Sequence, residues 1–483
     1  MRLNREEIVQ GLCRIVGQEK VDTDEQVLKE NSHDRFRKLE SIFGIYSCPL
    51  PAAVVRPESA QQVSQILKFL NEHGIACIPR TGGSATEGGL EVVRENTVVI
   101  DGSRMNRVIK IDPMNMLATA QCGANLEALE VQLREQGFTT GHSPQSKPLA
   151  QMGGLVATRS IGQFSTLYGG IEDMVVGLEA VFPNGEIARI KNVPRRACGP
   201  DIRHVIIGNE GALCFITEVT VKIFKHQPEN NRYLGFSLPT MGPGFELLRD
   251  VMVEGLRPSV ARLYDPEDGR QHGFDKFAPA RCVLIFVAEG PKGISRATEE
   301  GILEIASRCR GIESVEPKII EKWFTHLNWG PEKIQAERDF IKKNLNMGFT
   351  TEVSGNWDII NAIYENAIAR IKREFAHTDD LIMLGGHSSH SYLTGTNLYF
   401  VYDYNVSGCK PEEERERYHI PINAMIVEET LKLGGSMVHH HGIGKYRTQW
   451  TKEEHGSAYF ILRALKSTFD PNGIMNPGTI FNE

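Results

Sequence analysis

Long hydrophobic runs are missing from this chain of 483 residues. No stretch approaches the roughly 18 consecutive apolar residues needed to cross a bilayer, so no membrane-spanning helix is expected. The start, Met1-Arg-Leu-Asn-Arg-Glu-Glu, reads as an amphipathic helix capped by Asn4, without the apolar core of a secretion signal. The final Phe-Asn-Glu carries no retention or peroxisomal address. Metal knuckles and redox pairs are missing too, because the nine cysteines, at 13, 48, 77, 122, 198, 214, 282, 309 and 409, are too dispersed for either. Their odd number and scatter suit a reducing compartment, and together these features give a cytoplasmic reading. Nor is there an excess of positive charge. With 54 Lys and Arg against 61 Asp and Glu the net charge is -7, which offers nucleic acid no general attraction but leaves room for a local basic pocket holding an anionic substrate. Internal repeats and low-complexity linkers are absent.

What is present is an ordinary globular composition, 41% apolar and 24% charged. The length exceeds what one hydrophobic core supports, so two domains are expected. Residues 1–50 form an N-terminal helical segment. From 51 to 225 short β runs at 52–56, 76–79, 97–100, 108–111 and 117–121 alternate with helical patterns, one carrying Val63, Ile66, Leu67 and Leu70 on a single face and another, 125–136, carrying Leu126, Leu129 and Leu133. Residues 226–433 have fewer glycine turns and longer helices, at 245–254, 296–308, 331–344 and 357–374, with strands at 282–287, 381–384 and 397–402; they read as an α+β substrate or cap domain. Residues 434–483 return to the first domain. The fold class is α+β in two domains.

The connections of the first domain are rich in glycine. Two adjacent phosphates can be approached by main chain only where side chains are missing and several amide protons converge. Pro79-Arg-Thr-Gly-Gly-Ser-Ala85, after a strand, suits that need, although an ordinary turn is the commoner use of such a pair. A second cluster, Gly141-His-Ser-Pro-Gln-Ser-Lys-Pro-Leu-Ala-Gln-Met-Gly-Gly154, offers hydrogen-bonding groups that suit an extended cofactor, or forms a surface loop. A third is Gly208-Asn-Glu-Gly-Ala-Leu-Cys-Phe-Ile-Thr217. The G-x-G-x-x-G fingerprint and the G-x-x-x-x-G-K-[ST] loop are absent, which argues against a Rossmann or P-loop site.

In order and spacing these clusters resemble the FAD-binding domain of the vanillyl-alcohol-oxidase and p-cresol-methylhydroxylase superfamily. Tyr168-Gly-Gly-Ile-Glu-Asp173, Asp101-Gly-Ser-Arg-Met-Asn106, the stretch 193–208, His439-His-His-Gly-Ile-Gly-Lys445 and Asp470-Pro-Asn-Gly-Ile-Met-Asn-Pro-Gly478 resemble one branch, the alkylglycerone-phosphate synthases, and bacterial FAD-linked oxidoreductases. The resemblance implies a two-domain α+β flavoprotein and an FAD-dependent enzyme. It implies FAD contacts at Pro79, Arg80, Thr81, Gly82, Gly83, Ser84 and Ala85 for the pyrophosphate. Others are implied at Gln145, Ser146, Lys147, Pro148, Leu149, Ala150 and Gln151, then Gly153, Gly154, Thr158, Arg159, Ser160 and Ile161. A last group is Glu210, Gly211, Ala212, Leu213, Cys214, Phe215 and Ile216. Thr81 and Cys214 stand where the synthases usually have glycine. Ser84 stands where sister enzymes attach flavin through histidine, so non-covalent FAD is expected.

Relatives that oxidise hydroxy acids with a divalent ion carry histidines and a glutamate where this chain has Tyr392, Tyr399 and His440, a poor donor set for zinc or manganese, so no metal is expected. The resemblance places Tyr399, His439, His440 and His441 opposite the flavin ring as the catalytic group. An imidazole with an ordinary pKa of about 6.5 accepts a proton and a tyrosine hydroxyl orients or donates. On a strand three successive histidines would not share one side, leaving one for structure. Arg262 matches an active-site arginine of the synthases and suits either an acidic substrate group or an inter-domain salt bridge. His387 replaces a further synthase arginine, which weakens the case for a phosphate-bearing substrate.

Two reactions follow. In the first, a histidine takes a hydroxyl proton from a small acidic alcohol or hydroxy acid while hydride passes to flavin N5, and an unknown electron acceptor, oxygen, a quinone or another carrier, reoxidises the cofactor. In the alternative, the chain exchanges an acyl for an alkyl group through a flavin N5 adduct, as an alkylglycerone-phosphate synthase does. A catalytically dead flavin-binding module is the third reading. The resemblance also implies a homodimer.

Overall fold

The computed structural model describes residues 3–326 and 330–482. Met1 and Arg2 of the expected first helix, and Glu483 of the expected C-terminal segment, lie outside the described residues. Asn4 caps the helix Arg5–Val16 as its residue type predicts: its side chain accepts from the Glu7 amide at 3.0 Å, and Glu7 returns the bond to the Asn4 amide at 2.8 Å. This helix and Ala60–Glu72 cover a four-stranded sheet ordered Val21–Asp22, Ala53–Val55, Val98–Asp101, Cys77–Arg80, the last three parallel. Ser59 starts the second helix by accepting from Gln62, and Val63, Ile66, Leu67 and Leu70 then fall on one face and are buried against Ile8 and Leu12. Each such side chain contributes about 1.5–3 kcal/mol by leaving water.

A second sheet, antiparallel and five-stranded, runs Val108–Asp112, Leu117–Gln121, Phe215–Lys222, Val175–Val181, Ile187–Ile190. It packs with the helix Leu126–Arg134, whose Leu126, Leu129 and Leu133 are buried. The glycine loops lie at the margins of these two sheets.

The rest of the chain builds a seven-stranded antiparallel sheet ordered Glu313–Val315, Arg232–Leu238, Cys282–Ala288, Val260–Tyr264, Leu381–Ser388, Gly395–Asn405, Asn346–Asn356. Helices Met241–Val253, Lys292–Ala306, Ile360–Glu374 and Ile420–Lys432 cover one face. Strand alternation sorts the residues of Gly395–Asn405. Leu398, Phe400, Tyr402 and Tyr404 enter the helix-covered core, while Tyr399, Val401 and Asp403 face the other way, toward the first half of the molecule. Tyr399 sits between Glu352 and His387 in register, so one row of the open face reads Glu352, Tyr399, His387, Tyr264.

After Ile420–Lys432 the chain crosses back. Met437 and Ile443 pack with Ala212, and Ile474 and Met475 join the core of the first sheet, with the Cys77 amide donating to the Ile474 carbonyl at 2.7 Å. The expectation that the triple histidine occupies a strand is corrected here: 436–447 is a non-repetitive loop. No helix among the described residues is long and apolar enough to cross a membrane.

Candidate active site

A cavity of about 470 Å³ runs between the glycine loops and the open face of the large sheet. All seven residues from Pro79 to Ala85 line it, as do Gln145, Ser146, Ala150, Gln151, Gly153, Gly154, Thr158, Ser160 and Ile161. Glu210, Gly211, Cys214, Phe215 and Ile216 complete that side, and Arg262, His387, Tyr399, His440 and His441 stand on the other. Other expected residues lie off the cavity. Lys147 turns toward Glu127, 3.7 Å away, and the Pro148 carbonyl accepts from Asn125. Leu149 contributes the backbone that backs Gly82. Arg159 pairs with Glu172, Ala212 is core, and the Leu213 amide faces Asn209. His439 turns away from the cavity, toward Tyr392.

The cradle requires glycine at Gly82, where a Cβ would come within 2.4 Å of the Leu149 carbonyl oxygen and 2.9 Å of the Gln151 amide nitrogen. Two loops therefore meet backbone to backbone, leaving amides to face a ligand. Gln151 Oε1 and Gln163 Nε2, both buried on cavity-lining residues, have no partner among the described residues. A side-chain-free cradle beside unspent polar atoms fits a dinucleotide with a polar ring system.

Opposite stands a tyrosine between two imidazoles. Tyr399 Oη lies 2.7 Å from His440 Nε2 and 2.9 Å from His441 Nε2. Burial pushes the Tyr399 hydroxyl pKa up, and it pushes the imidazoles down, His441 to about 3, His439 to about 4 and His440 well below its ordinary value. The three rings are therefore neutral near pH 7, each with a lone pair, and burial makes a proton taken up by any of them costly to keep.

The loop carrying them is held through its backbone by carboxylates. Glu352, fully buried, accepts from the amides of His439 and of His441, the latter at 2.8 Å. Glu210 accepts from Ile443 and Gly444, both at 2.8 Å, so its side chain serves the histidine loop. Gly444 is required, since its φ is +54° and a Cβ would reach 2.0 Å from the Glu87 carbonyl oxygen. Arg447, with none of its surface exposed, donates to Glu87 at 3.0 and 3.2 Å and to the carbonyls of Glu352 and Met437. Sequence reasoning missed Glu352, Glu87 and Arg447. The available signal was one carboxylate inside the run Phe349-Thr-Thr-Glu-Val353, where β alternation gives a charge no reason to be.

Arg262 and His387, expected at the substrate, come together: Arg262 Nη2 donates to His387 Nε2 at 3.0 Å, and His387 Nδ1 bonds Asp268 at 2.5 Å. Burial, against the pull of Asp268, keeps the His387 pKa below its ordinary value. His387 is thus a neutral spacer that accepts from the guanidinium and donates to the carboxylate, and among the described residues Arg262 meets the first domain through a 3.4 Å hydrogen bond to Gln163 with no salt bridge. Arg262 Nε is buried and has no hydrogen-bond partner among the described residues. Among the described residues no group of three or more His, Cys, Asp and Glu side chains is arranged to hold a metal ion.

Serine at position 84 provides no nucleophile of the imidazole type for the cofactor. Acid precipitation of the purified protein is therefore expected to leave the yellow colour in the supernatant. Colour retained in the pellet would show a covalent link elsewhere, with buried Cys214 in the cavity wall the first residue to test.

Comparison with known proteins gives the family. Residues 51–191 match the FAD binding domain family, and residues 227–480 match the C-terminal domain of the FAD linked oxidases. An uncharacterized FAD-linked oxidoreductase, YgcU, of Escherichia coli strain K12 is 66% identical over 481 residues, 100% of this chain and 99% of that one. An alkyldihydroxyacetonephosphate synthase of Caenorhabditis elegans is 30% identical over 461 residues, 88% of this chain and 75% of that one. The crystal structure of p-cresol methylhydroxylase with substrate bound shares the fold, with a TM-score of 0.77 at 17% identity, covering 99% of this chain and 97% of that one. The glycine cradle and the facing histidines thus sit in an FAD-dependent enzyme, and the chain belongs to the FAD-linked oxidoreductases of the vanillyl-alcohol-oxidase and p-cresol-methylhydroxylase superfamily.

Proposed function

We propose that the protein oxidises the CH–OH group of a small acidic alcohol or hydroxy acid. The observation that carries this reading is the neutral Tyr399–His440–His441 group on the wall facing the glycine cradle, with the Arg262 guanidinium beside it. Bound FAD supplies the two-electron acceptor. Arg262 holds the acidic group of the substrate, its orientation fixed by His387 and Asp268. An imidazole of the Tyr399 group accepts the hydroxyl proton as the C–H bond to the same carbon breaks. The cavity wall also carries Lys38, Gln271, Glu337 and Asp403 beside Phe36, Phe349 and Val401, so it offers a substrate both polar and apolar contacts.

The alkyl-exchange reading draws support from the alkyldihydroxyacetonephosphate synthase similarity, and one experiment separates the two. The FAD-loaded protein is mixed anaerobically with alcohols, 2-hydroxy acids, sugar acids and acylated ketone phosphates while the flavin absorbance is followed. Full bleaching by a hydroxy acid or alcohol is the expected result. Release of fatty acid from an acylated ketone phosphate without lasting bleaching would replace oxidation by exchange. Silence across the panel would remove the proposed substrate class.

A further inference from the structure

We propose that Tyr399, His440, His439 and Tyr392 form a proton path from the catalytic cavity to a second pocket on the far side of the histidine loop. The inference rests on the alcohol-oxidation reading, in which a buried group must repeatedly shed a proton. His440 Nε2 is 2.7 Å from Tyr399 Oη, His440 Nδ1 is 2.8 Å from His439 Nδ1, and His439 Nε2 is 2.8 Å from Tyr392 Oη. Tyr392 and His439 line the second pocket, of about 370 Å³, which neighbours the exposed Thr394 and Gly434. Tyr399 and His440 line the first.

The hydrogen count permits conduction. A neutral imidazole carries one N–H and one lone pair, and a phenol carries one O–H with acceptor capacity. In one polarity Tyr399 donates to His440, His440 to His439, and His439 to Tyr392, whose own hydrogen points into the second pocket. In the other, every hydrogen is reversed, and Tyr399 donates to His441 Nε2 at 2.9 Å. Both arrangements satisfy every link, and moving one proton outward converts one into the other. The substrate O–H bond breaks, a proton enters at the Tyr399–His440 end, and a different proton leaves at Tyr392 to solvent. The electron pair of the broken C–H bond departs with its hydrogen to the FAD acceptor, so the carbonyl product balances.

Two further features favour this direction. Burial makes an imidazolium in the cavity costly, so a proton accepted there is passed on. Glu172, in the wall of the second pocket, pairs with Arg159 of the same wall through Oε1 and, among the described residues, has no partner on its buried Oε2, which can accept a hydrogen bond from the carrier of the emerging proton. His439 and Tyr392 are, on this account, positioning and relay groups, with no contact to substrate required.

The path predicts that Tyr392→Phe is felt at His440. In the FAD-loaded protein labelled with ¹⁵N-histidine, the ring-nitrogen signals of His439 and His440, assigned from His439→Gln and His440→Ala, are expected to move together in Tyr392→Phe. Unchanged His440 signals would overturn the proposal whatever the substrate proves to be. With an alcohol that bleaches the wild-type flavin, Tyr392→Phe is expected to slow bleaching at least about tenfold and added imidazole to restore much of the rate. A normal rate, or a slow rate that imidazole leaves untouched, would reduce Tyr392 to a structural role. If no alcohol bleaches the wild-type flavin, the oxidation reading fails, while the nitrogen signals still decide whether the path exists.

Discussion

Arg447→Met is expected to lower the temperature at which the protein releases its FAD by roughly 3–5 °C, the scale set by losing a buried charge partner worth about 3–5 kcal/mol in a chain of this size. Arg447 has no exposed surface, and its guanidinium lies between Glu87, itself 1% exposed, the Glu352 carboxylate 3.7 Å away, and the carbonyls of Glu352 and Met437. Methionine fills similar volume but donates nothing, which takes the cation from two buried carboxyl groups, Glu87 and Glu352, and the donor from two carbonyls. The effect reaches the cofactor because Glu87 lies in the chain continuing from the 79–85 loop, and its carbonyl accepts from the amides of Lys445 and Tyr446. Flavin fluorescence followed during heating gives the release temperature directly. The double variant Glu87→Gln/Arg447→Met is expected to recover part of the loss, since burial pushes the Glu87 carboxyl up to about 8 even beside Arg447, and glutamine supplies the uncharged group that the site demands once the cation is gone. A single variant as stable as the wild type, or a double variant worse than both singles, would show that the pair is not what ties the histidine loop to the cradle.

The same contacts explain what a linear reading of the chain can and cannot find. Leu126, Leu129 and Leu133, or Val63, Ile66, Leu67 and Leu70, announce their helices by spacing alone, and the structure buries those faces. The candidate reactive groups, Tyr399, the three histidines before Gly442, and Arg262, were legible through the family resemblance, which places them opposite the flavin. Their supports were not. Glu87 and Arg447 are 360 positions apart, and nothing local to either indicates the other. Glu352 belongs to the strand Asn346–Asn356, whose threonines and glycines give it less apolar character than the strand read at 397–402. Its partners are backbone amides, which carry no residue-type signal at all. The strand geometry expected for 439–441 gives way to a loop because Glu352 and Glu210 satisfy its amides in place of a neighbouring strand, and this lets two successive rings, His440 and His441, reach the same hydroxyl.

His440→Ala is expected to keep FAD, as judged by its absorbance, and to lose at least about a hundredfold in the rate at which an alcohol substrate bleaches the flavin. The variant removes the ring that accepts from or donates to Tyr399 on one side and His439 on the other, while the backbone amides bound by Glu352 and Glu210 stay in place. Tyr399→Phe should match it within about tenfold, because either change cuts the same connection between substrate and relay, and the two together should cost little more than one alone. The pH profile supplies a separate check. Burial holds the cavity imidazoles below their ordinary pKa of about 6.5, His441 at about 3 and His440 well below that ordinary value. A base must be unprotonated to act, so kcat/KM is expected to stay level as the pH falls from 8 through 6.5 and to drop only on further acidification. An acid limb centred near 6.5 would indicate a base with ordinary solvation, outside this cluster. Undiminished bleaching in His440→Ala would pass the proton-accepting role to His441, the remaining imidazole on Tyr399.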